Sequence, residues 1–279
     1  MRNNKSVSEE PNLSWWNERA AFHRDTPLYQ KHIERLRNGG LALLPLEVSE
    51  LGDLTGKKVL HSQCHIGTDT VSLSRLGADV TGIDFSEVAI AEARKLSKDL
   101  GIPATFEVRE LSRLVSEFPE AFDMVFTSHG VLTWLSDLEA WARDLAGCLK
   151  PEGRFYISEG HPLVWAFADE HPVDDGSLRL GHPYLSQPKP SSFVESGSYA
   201  DREVETEINQ TTEWSWGIGD VVNALIGAGL RIDWLNEHPL GFYPASEKFI
   251  EEKNGHYRLP DGLHGKYPLA FSIQATKLG

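Results

Sequence analysis

Short apolar runs alternate with longer amphipathic stretches between residues 57 and 160. The short runs have the length and the β-branched and aromatic content of buried strands, whereas the longer stretches repeat apolar residues at helical spacing. Strands are predicted at residues 58–61, 79–84, 105–109, 122–128 and 154–159. Strands that alternate with helices in this way predict a parallel, doubly wound α/β sheet.

The first two predicted strands frame a loop. Strand 58–61 breaks into a short loop and continues as a helix over 68–76, and strand 79–84 ends on Asp84. A strand, a turn, a helix and a second strand that ends on a carboxylate form a nucleotide-binding βαβ unit. Such a unit brings backbone N–H groups up to a ligand, and Asp84 can accept hydrogen bonds from ribose hydroxyls. Ser86 is predicted to cap the N-terminus of the helix that follows, and Gly101 its C-terminus.

The alternation stops after residue 160. Residues 161–190 are rich in Pro, Gly, His and Asp, and residues 192–199 and 203–216 are predicted to be the strands of an antiparallel hairpin that turns at 200–202. A helix over 219–229 and two strands, 230–237 and 269–276, complete the chain. The segment between these two strands, 238–268, is predicted to be a loop.

The residues before the first strand form a separate leader. Aromatic and aliphatic residues recur at helical spacing over 13–37, Pro27 divides them into two helices, and 41–51 is predicted to be a third helix. The leader is either a lid over a ligand or a set of helices packed on the domain. We therefore divide the chain into a helical leader or lid, 1–56, and a main domain, 57–279, in which 161–216 is an insertion that acts as a substrate flap.

The composition is that of an ordinary soluble protein, with 40% hydrophobic and 24% charged residues among 279. A net charge of −14 disfavours nucleic-acid binding. No apolar run is long enough to span a membrane, and residues 1–11 lack the apolar core of a signal peptide. The cysteines, Cys64 and Cys148, fit a reducing cytoplasm. We expect a cytoplasmic monomer or homodimer.

Four blocks of the sequence resemble the class I S-adenosylmethionine-dependent methyltransferases. They are Val-Leu-His-Ser-Gln-Cys-His-Ile-Gly at 59–67, Val-Thr-Gly-Ile-Asp-Phe-Ser at 80–86, Phe-Asp-Met-Val-Phe at 122–126 and Leu-Lys-Pro-Glu-Gly-Arg-Phe at 149–155. The first block is similar to that of bacterial small-molecule enzymes that carry Leu-His-x-Gln-Cys-His-x-Gly. The resemblance implies a Rossmann-like, seven-stranded, mostly parallel sheet with an antiparallel last strand. It also implies in-line SN2 transfer of a methyl group to a small-molecule O, N or S nucleophile, which converts S-adenosylmethionine to S-adenosylhomocysteine.

The resemblance also implies a cofactor site. Asp84 would bind the ribose, Phe85 would pack on the adenine, and Glu110 with the backbone of Leu111 would bind the edge of the adenine. Each has an alternative: a helix cap for Asp84, a core residue for Phe85 and a solvated acid for Glu110. The remaining implied residues are His61, Gln63, His65, Gly67 and Ser86.

The first block departs from the pattern of the family. His61 stands where the family has an acid that helps to hold the methionine ammonium, and Gln63 and His65 stand where it has glycines. Only Gly67 remains of the three glycines. We expect Gln63, His65 and the loop backbone to hold the methionyl tail in a way particular to this protein.

Two histidines follow predicted strands at the edge where ligands bind. His129, next to Ser128, follows the fourth strand, and His161 follows the fifth. Either can act as the general base for an acceptor. His129, like Ser128, can instead shape the pocket or contact the cofactor, and His161 can instead contact the substrate. Aromatic faces stabilise a sulfonium and exclude water, and Tyr29 and Trp134 are the aromatic residues that we expect at the cofactor.

Two other classes of protein remain open on the sequence alone. One is an NAD(P)-dependent oxidoreductase, although its G-x-G-x-x-G loop is missing, and the other is a cofactor-binding protein without turnover. A zinc site built from His61, Cys64 and His65 lacks a nearby fourth ligand, so we expect no metal. The acceptor is set by 161–216 and 238–268, which carry no motif that identifies it.

Overall fold

A computed structural model describes residues 9–167, 180–244, 249–252 and 255–279 of the chain. The helices are α1 (Glu9–His23), α2 (Pro27–Arg37), α3 (Pro45–Leu51), α4 (Thr68–Arg75), α5 (Glu87–Leu100), α6 (Leu114–Glu117), α7 (Leu138–Cys148), α8 (Pro162–Trp165) and α9 (Ile218–Gly227). The strands are β1 (Lys58–Ser62), β2 (Asp79–Asp84), β3 (Thr105–Val108), β4 (Phe122–Ser128), β5 (Leu149–Gly160), β6 (Ser191–Val194), β7 (Gln210–Glu213), β8 (Leu230–His238), β9 (Leu240–Gly241), β10 (Ile250–Glu251), β11 (Tyr257–Arg258) and β12 (Ala270–Lys277).

The central sheet has seven strands in the order β3-β2-β1-β4-β5-β12-β8. β1 pairs in parallel with β2 and β4, and β12 is antiparallel to both of its neighbours, β5 and β8. The predicted Rossmann-like fold, with an antiparallel last strand, is therefore confirmed. The strand order reverses at β1, so the crevice between β1 and β4 is the topological switch point at which ligands bind in open α/β sheets.

Alternate residues along each strand pack on opposite faces of the sheet. Val59 and Phe126 belong to a core under α3 and α4, whereas Leu60 and Val125 belong to a core under α7 and α9. Since both faces are covered by helices, β4 is buried along nearly its whole length, as parallel strands of this kind are. The predicted caps of α5 are present: Ser86 Oγ accepts from Ala89 N at 3.0 Å, and Gly101 ends the helix with a left-handed backbone.

The predicted hairpin of the insertion is wrong in its extent. β6 and β7 pair in antiparallel fashion, but they span only Ser191–Val194 and Gln210–Glu213. Much of the backbone between them bonds to α1 instead of forming a ladder. The guanidinium of Arg19, whose side chain is fully buried, donates to the carbonyl oxygens of Gly197, Glu195 and Ile208. The part of the insertion over 168–179 lies outside the described residues.

α1 and the insertion are joined a second time by a reciprocal pair of hydrogen bonds. Asn12 Nδ2 donates to Thr212 O at 2.8 Å, and Thr212 N donates to Asn12 Oδ1 at 2.9 Å. The leader and the insertion thus contact each other directly across the edge where the parallel strands end.

The segment predicted as a loop over 238–268 contains a small antiparallel sheet, β10-β11-β9. Its strands are two residues long, which is too short for a periodic pattern to show in the sequence. Within the described residues, no helix is long and apolar enough to cross a membrane.

Candidate active site

A cavity of ≈ 1090 Å³ opens at the carboxyl ends of β1, β2, β4 and β5. The predicted site residues that line it are Tyr29, His61, Gln63, His65, Asp84, Phe85, Ser128, His129 and Trp134. The predicted residues that do not line it are Gly67, Ser86, Glu110, Leu111 and His161. The structure therefore brings most of the predicted residues together around one space.

The first loop has a left-handed backbone at three positions, of which only one is a glycine. The φ angles of Gln63 and His65 are +57° and +48°, and that of Gly67 is +78°. Non-glycine residues in this left-handed region are strained by roughly 1–3 kcal/mol each and are found mainly where the surrounding structure enforces them. The substitutions at 63 and 65 thus add side chains to the cavity wall and leave the left-handed turns in place.

Gly67 is constrained by packing as well as by its backbone angle. A Cβ atom at this position would lie 2.6 Å from Phe106 Cε1 and 3.0 Å from Ala93 Cβ. Gly67 also provides the N-cap position of α4. Its role is to let the loop turn into α4 close against the core, which explains why this glycine remains although it does not reach the cavity.

Asp84 holds the loop and keeps capacity for a ligand. Its Oδ2 accepts from His65 N and its Oδ1 accepts from Ser86 N, both at 2.9 Å. A carboxylate has about four acceptor positions, so capacity remains for hydroxyl groups in the cavity. Burial raises the pKa of Asp84 to about 6, although the backbone donors partly offset it. The arrangement fits the ribose of a nucleoside.

The His65 side chain joins the first loop to the roof of the cavity. Its Nε2 lies 2.8 Å from His23 Nδ1, and His23 Nε2 lies 2.9 Å from Ser198 Oγ. Burial lowers the pKa of His23 to about 2 and that of His65 to about 3, so both rings are neutral at pH 7. This chain of contacts, which the sequence did not indicate, links the loop, α1 and the insertion.

Aromatic rings form much of the roof. Trp134 lies 5.6 Å from Trp15 and 5.2 Å from Trp16, measured between ring centroids. The hydroxyl groups of Tyr29 and Tyr199 are hydrogen-bonded to each other. The two predicted aromatic residues, Tyr29 and Trp134, therefore lie in the cavity wall, where they can cover a sulfonium and keep water away.

His61 closes the floor of the cavity as a neutral ring. Its Nδ1 lies 2.8 Å from Thr70 Oγ1, and its Nε2 lies 3.4 Å from Ser128 Oγ. Burial lowers its pKa to about 3. Ser128 donates in turn to Asp69 Oδ2 at 3.1 Å. Asp69, which the sequence analysis did not single out, thus presents a carboxylate to the cavity.

His129 forms an ion pair with a fully buried acid. Its Nε2 lies 2.7 Å from Glu47 Oε1, and its ring stacks on Phe242 with the centroids 3.8 Å apart. Burial alone would lower the pKa of His129, but Glu47, with Asp69 and Glu159, outweighs burial and raises this pKa to about 9. The ring is therefore held by one nitrogen, oriented and cationic at neutral pH in the free protein.

The turn after His129 is fixed by Glu159 at the end of β5. Glu159 Oε1 accepts from Gly130 N at 2.6 Å, and its Oε2 accepts from Val131 N at 2.7 Å and Leu132 N at 3.4 Å. Sequence reasoning missed both Glu159 and Glu47. The position of Glu159 after an apolar strand was the one available signal, whereas Glu47 lies in α3 of the leader and has no sequence link to His129.

His161 lies outside the cavity wall. Its Nδ1 accepts from Leu163 N at 3.1 Å and caps α8, and its Nε2 lies 2.9 Å from Glu237 Oε1. Both ring nitrogens are engaged in the protein. A catalytic role for His161 stays a prediction that these surroundings do not favour.

The other predicted residues away from the cavity have local roles. Ser86 Oγ caps α5 and donates to Asn17 Oδ1 of α1 at 2.6 Å. Glu110 stands at the N-cap of a short 3₁₀ turn that begins at Leu111, and it lies 4.0 Å from Arg113 Nε. Within the described residues, no group of three or more His, Cys, Asp or Glu side chains is arranged to hold a metal ion.

Several known proteins share parts of this chain. A family model described as a methyltransferase domain matches residues 59–153. A ubiquinone biosynthesis O-methyltransferase from Proteus mirabilis is 31% identical over 147 residues, which are 52% of this chain and 54% of that protein. One of the same name from Bordetella pertussis is 30% identical over 193 residues, 68% of this chain and 75% of that protein.

The likeness to solved structures shows the fold. A structure described as a putative S-adenosylmethionine-dependent methyltransferase, from Listeria monocytogenes, superposes with a TM-score of 0.58 at 17% identity, over 83% of this chain and 95% of that one. A methyltransferase from Mesorhizobium loti gives 0.57 at 19% identity, over 84% and 96%.

The fold and the cavity at its switch point define a Rossmann-like protein built to hold a nucleoside cofactor. The chain belongs to the class I S-adenosylmethionine-dependent methyltransferases. S-adenosylmethionine is accordingly its cofactor, and an NAD(P)-dependent oxidoreductase is not favoured. The match to the Proteus protein spans about half of that protein's length.

Proposed function

We propose that the protein transfers a methyl group from S-adenosylmethionine to a hydroxyl oxygen of a small molecule. The observation that carries the proposal is the placement of His129, paired with the buried Glu47, in the wall of the cavity that Asp84 also lines. An oxygen acceptor is further supported by the relatives, which are O-methyltransferases of ubiquinone biosynthesis. We do not propose the same acceptor for this protein, because the match to the Proteus relative covers only about half of that relative.

The cofactor is proposed to cross the ends of β2, β1 and β4. Asp84 accepts the ribose hydroxyls, Phe85 packs on the adenine, and the loop backbone at Gln63 and His65 faces the methionyl part. Gly67 and Ser86 support the site without lining it: Gly67 shapes the turn into α4, and Ser86 caps α5. The adenine contacts predicted for Glu110 and Leu111 would require the nucleoside to reach past the cavity wall.

When bound, the cofactor supplies an activated methyl: the acceptor oxygen bonds to this carbon as the sulfur–carbon bond breaks, and its electron pair stays on sulfur. The protein positions the two reactants and excludes water. His129 takes the hydroxyl proton on Nδ1, while Nε2 remains paired with Glu47. Because a neighbouring sulfonium would disfavour a second positive charge, His129 would have a lower pKa in the complex than in the free protein.

The leader and the insertion are proposed to enclose the acceptor. Trp15 of the leader and Trp214 and Trp216 of the insertion all line the cavity. The contacts of α1 with β7 and with the loop after β6 make the two segments one roof. We therefore retain residues 1–56 as a lid and 161–216 as a substrate flap, each as a proposal.

The proposal is tested by methyl transfer from S-adenosylmethionine with a labelled methyl group to a panel of phenols, catechols and aliphatic alcohols. We expect a methyl ether from at least one hydroxyl acceptor. His129→Asn should lower kcat by roughly 10²–10⁴-fold, the usual contribution of a general base, and leave S-adenosylhomocysteine binding nearly intact. His264→Asn, at an exposed histidine outside the cavity, is the matched control.

Two results would contradict the proposal. Binding of S-adenosylhomocysteine without turnover on any acceptor would indicate a cofactor-binding protein that has lost the reaction. Equal turnover of wild type and His129→Asn would remove His129 from the mechanism. In that case His161→Asn, which we expect to change kcat little, would identify the other predicted base.

A further inference from the structure

The end of β1 carries no negative charge. His61 is 2% exposed, contacts Thr70 and Ser128, and is held neutral by burial. The methionyl part of S-adenosylmethionine carries an ammonium group. A cation that enters a buried site needs a partner of opposite charge, because desolvation otherwise makes binding unfavourable.

Asp69 places a carboxylate beside this position. It is the second residue of α4, it lines the cavity, and its Oδ2 accepts the hydroxyl of Ser128. Ser128 is also the residue that His61 Nε2 approaches. The acid therefore reaches the space above the ends of β1 and β4 from the first turn of the helix that follows the loop.

This carboxylate forms no ion pair within the described residues, although the charge of His129 acts on it. No lysine or arginine of the described residues lies within ion-pair distance of Asp69, and its hydrogen-bond partner, Ser128, is neutral. Burial raises its pKa to about 6, and the Glu47 charge adds to this effect, while His129 and Ser128 oppose it. A buried carboxylate without an ion-pair partner is stabilised in its charged form by a cation that arrives with the ligand.

We propose that Asp69 binds the ammonium of the methionyl group of the cofactor, at the place where His61 provides no charge. The inference rests on the proposed function and adds a residue to it. The strand order supports the placement. β1 lies between β2, which ends at Asp84, and β4, which ends at Ser128, so about 10 Å separate the two ends at the usual strand spacing. A cofactor with its ribose at Asp84 crosses β1 to reach Asp69.

The other acids of the cavity are less suited to this role, and two of them, Glu195 and Glu251, are exposed. Glu159 is occupied by four backbone N–H groups, those of residues 130, 131, 132 and 160. Asp84 is occupied by His65 N and Ser86 N at the ribose position. Glu213, on β7 in the insertion, bonds to Thr211 and Thr133. Asp69 is the acid that lies next to the loop and to β4 together.

A simpler role for Asp69 is to stabilise the first turn of α4 through the helix dipole. That role predicts lower stability of an Asp69 variant and equal loss of affinity for every ligand of the cavity. The proposed role predicts a loss that depends on whether the ligand has an ammonium group. The two roles therefore differ in a measurement with two ligands.

The test is isothermal titration of wild type, Asp69→Asn and Asp79→Asn with S-adenosylhomocysteine and with 5′-methylthioadenosine. The second ligand keeps the adenosine and the sulfur but has no amino-acid group. Asp69→Asn should bind S-adenosylhomocysteine roughly 10- to 100-fold more weakly, as for a lost charged hydrogen bond, and bind 5′-methylthioadenosine as wild type does. Asp79→Asn, at the exposed opposite end of β2, should change neither.

Retained binding of 5′-methylthioadenosine also shows that the variant is folded. Equal affinity of wild type and Asp69→Asn for S-adenosylhomocysteine would overturn the inference and leave the proposed function standing. An equal loss for both ligands would overturn it in favour of the helix-stabilising role. If wild type bound neither ligand, the proposed function itself would fail, and this inference with it.

Discussion

The imidazole Nε2 of His129 lies 2.7 Å from the carboxylate Oε1 of Glu47, whose side chain is fully buried. Glu47 Oε2 accepts from Leu44 N at 2.8 Å, so the acid is fixed at the N-terminus of α3. A histidine of the main domain is thereby oriented by an acid of the leader. If the leader also covers the acceptor, as we propose, closure of the roof and orientation of the base involve the same segment.

Glu47→Gln should change how stability depends on pH. The folded pKa of His129, about 9, lies above its unfolded value near 6.5, so the pair stabilises the fold fully below pH 6.5 and loses this contribution as the pH rises through 9. Urea unfolding of wild type should therefore show a free energy of unfolding that falls as the pH rises from 6.5 to 9. In Glu47→Gln the free energy of unfolding at pH 6.5 should be about 1–3 kcal/mol lower than in wild type, and it should fall less as the pH rises to 9.

The same variant should move the pH dependence of turnover. A base must be neutral to accept a proton, so kcat/KM of wild type should rise with pH towards about 9. Without the Glu47 charge, the pKa of His129 falls and the midpoint shifts to lower pH. An unchanged midpoint in Glu47→Gln would show that His129 does not set the profile.

Gly67→Ala and Gly101→Ala form a matched pair at two left-handed positions. Both have a positive φ, +78° and +64°, but only Gly67 has neighbours that a Cβ atom would overlap. We expect Gly101→Ala to cost about 1 kcal/mol from backbone strain and Gly67→Ala about 2–4 kcal/mol, because overlap with Phe106 adds to the strain. Thermal unfolding of the two variants measures the difference. Equal losses would mean that the loop relaxes around the added methyl group.

Arg19→Lys tests the connection between α1 and the insertion. An ammonium has fewer donors than a guanidinium and lacks its planar fork, so it cannot satisfy Gly197 O, Ile208 O and Glu195 O together. Hydrogen exchange should speed up over residues 195–209 and stay unchanged in β4 and β5. Arg24→Lys, on the α1–α2 connection, serves as the control, because Arg24 pairs with Asp99 and Glu92. Unchanged exchange over 195–209 would show that other contacts hold the insertion.

The parts of the fold that depend on local sequence pattern could be predicted from the sequence. The alternation of strands and helices, the caps of α5 and the acid at the end of β2 each follow from neighbouring residues, and the structure contains all three. The predicted strand over 203–216 was too long. Apolar and polar residues alternate at 203–209 as they would in a strand, but the buried Arg19 binds the carbonyl oxygen of Ile208 there. A contact between residues so distant in the chain leaves no periodic signal.

The site was predictable where a residue type and a strand end coincide. Asp84 and Ser128 end strands and His129 follows one, so their positions could be predicted. Glu47 and Asp69 lie in helices, and their charges matter only because tertiary packing buries them beside His129 and Ser128. His161 follows a strand too, yet its nitrogens bind Leu163 N and Glu237, which the sequence could not show.

Asp84→Ala should weaken cofactor binding strongly. The variant loses the acceptors for the ribose and for His65 N, so it both removes ligand contacts and loosens the loop. We expect a loss of roughly 100-fold or more in affinity for S-adenosylhomocysteine, the sum of two charged hydrogen bonds, measured by titration. Unlike Asp69→Asn, this variant should also lose affinity for 5′-methylthioadenosine. Unchanged affinity would remove Asp84 from the site.

The most direct test of the account is isothermal titration of the unmodified protein with S-adenosylmethionine, S-adenosylhomocysteine and NAD in parallel. We expect saturable binding of the first two at one site per chain, with S-adenosylhomocysteine competing against S-adenosylmethionine, and no binding of NAD. Binding of NAD with no response to either sulfur ligand would contradict it.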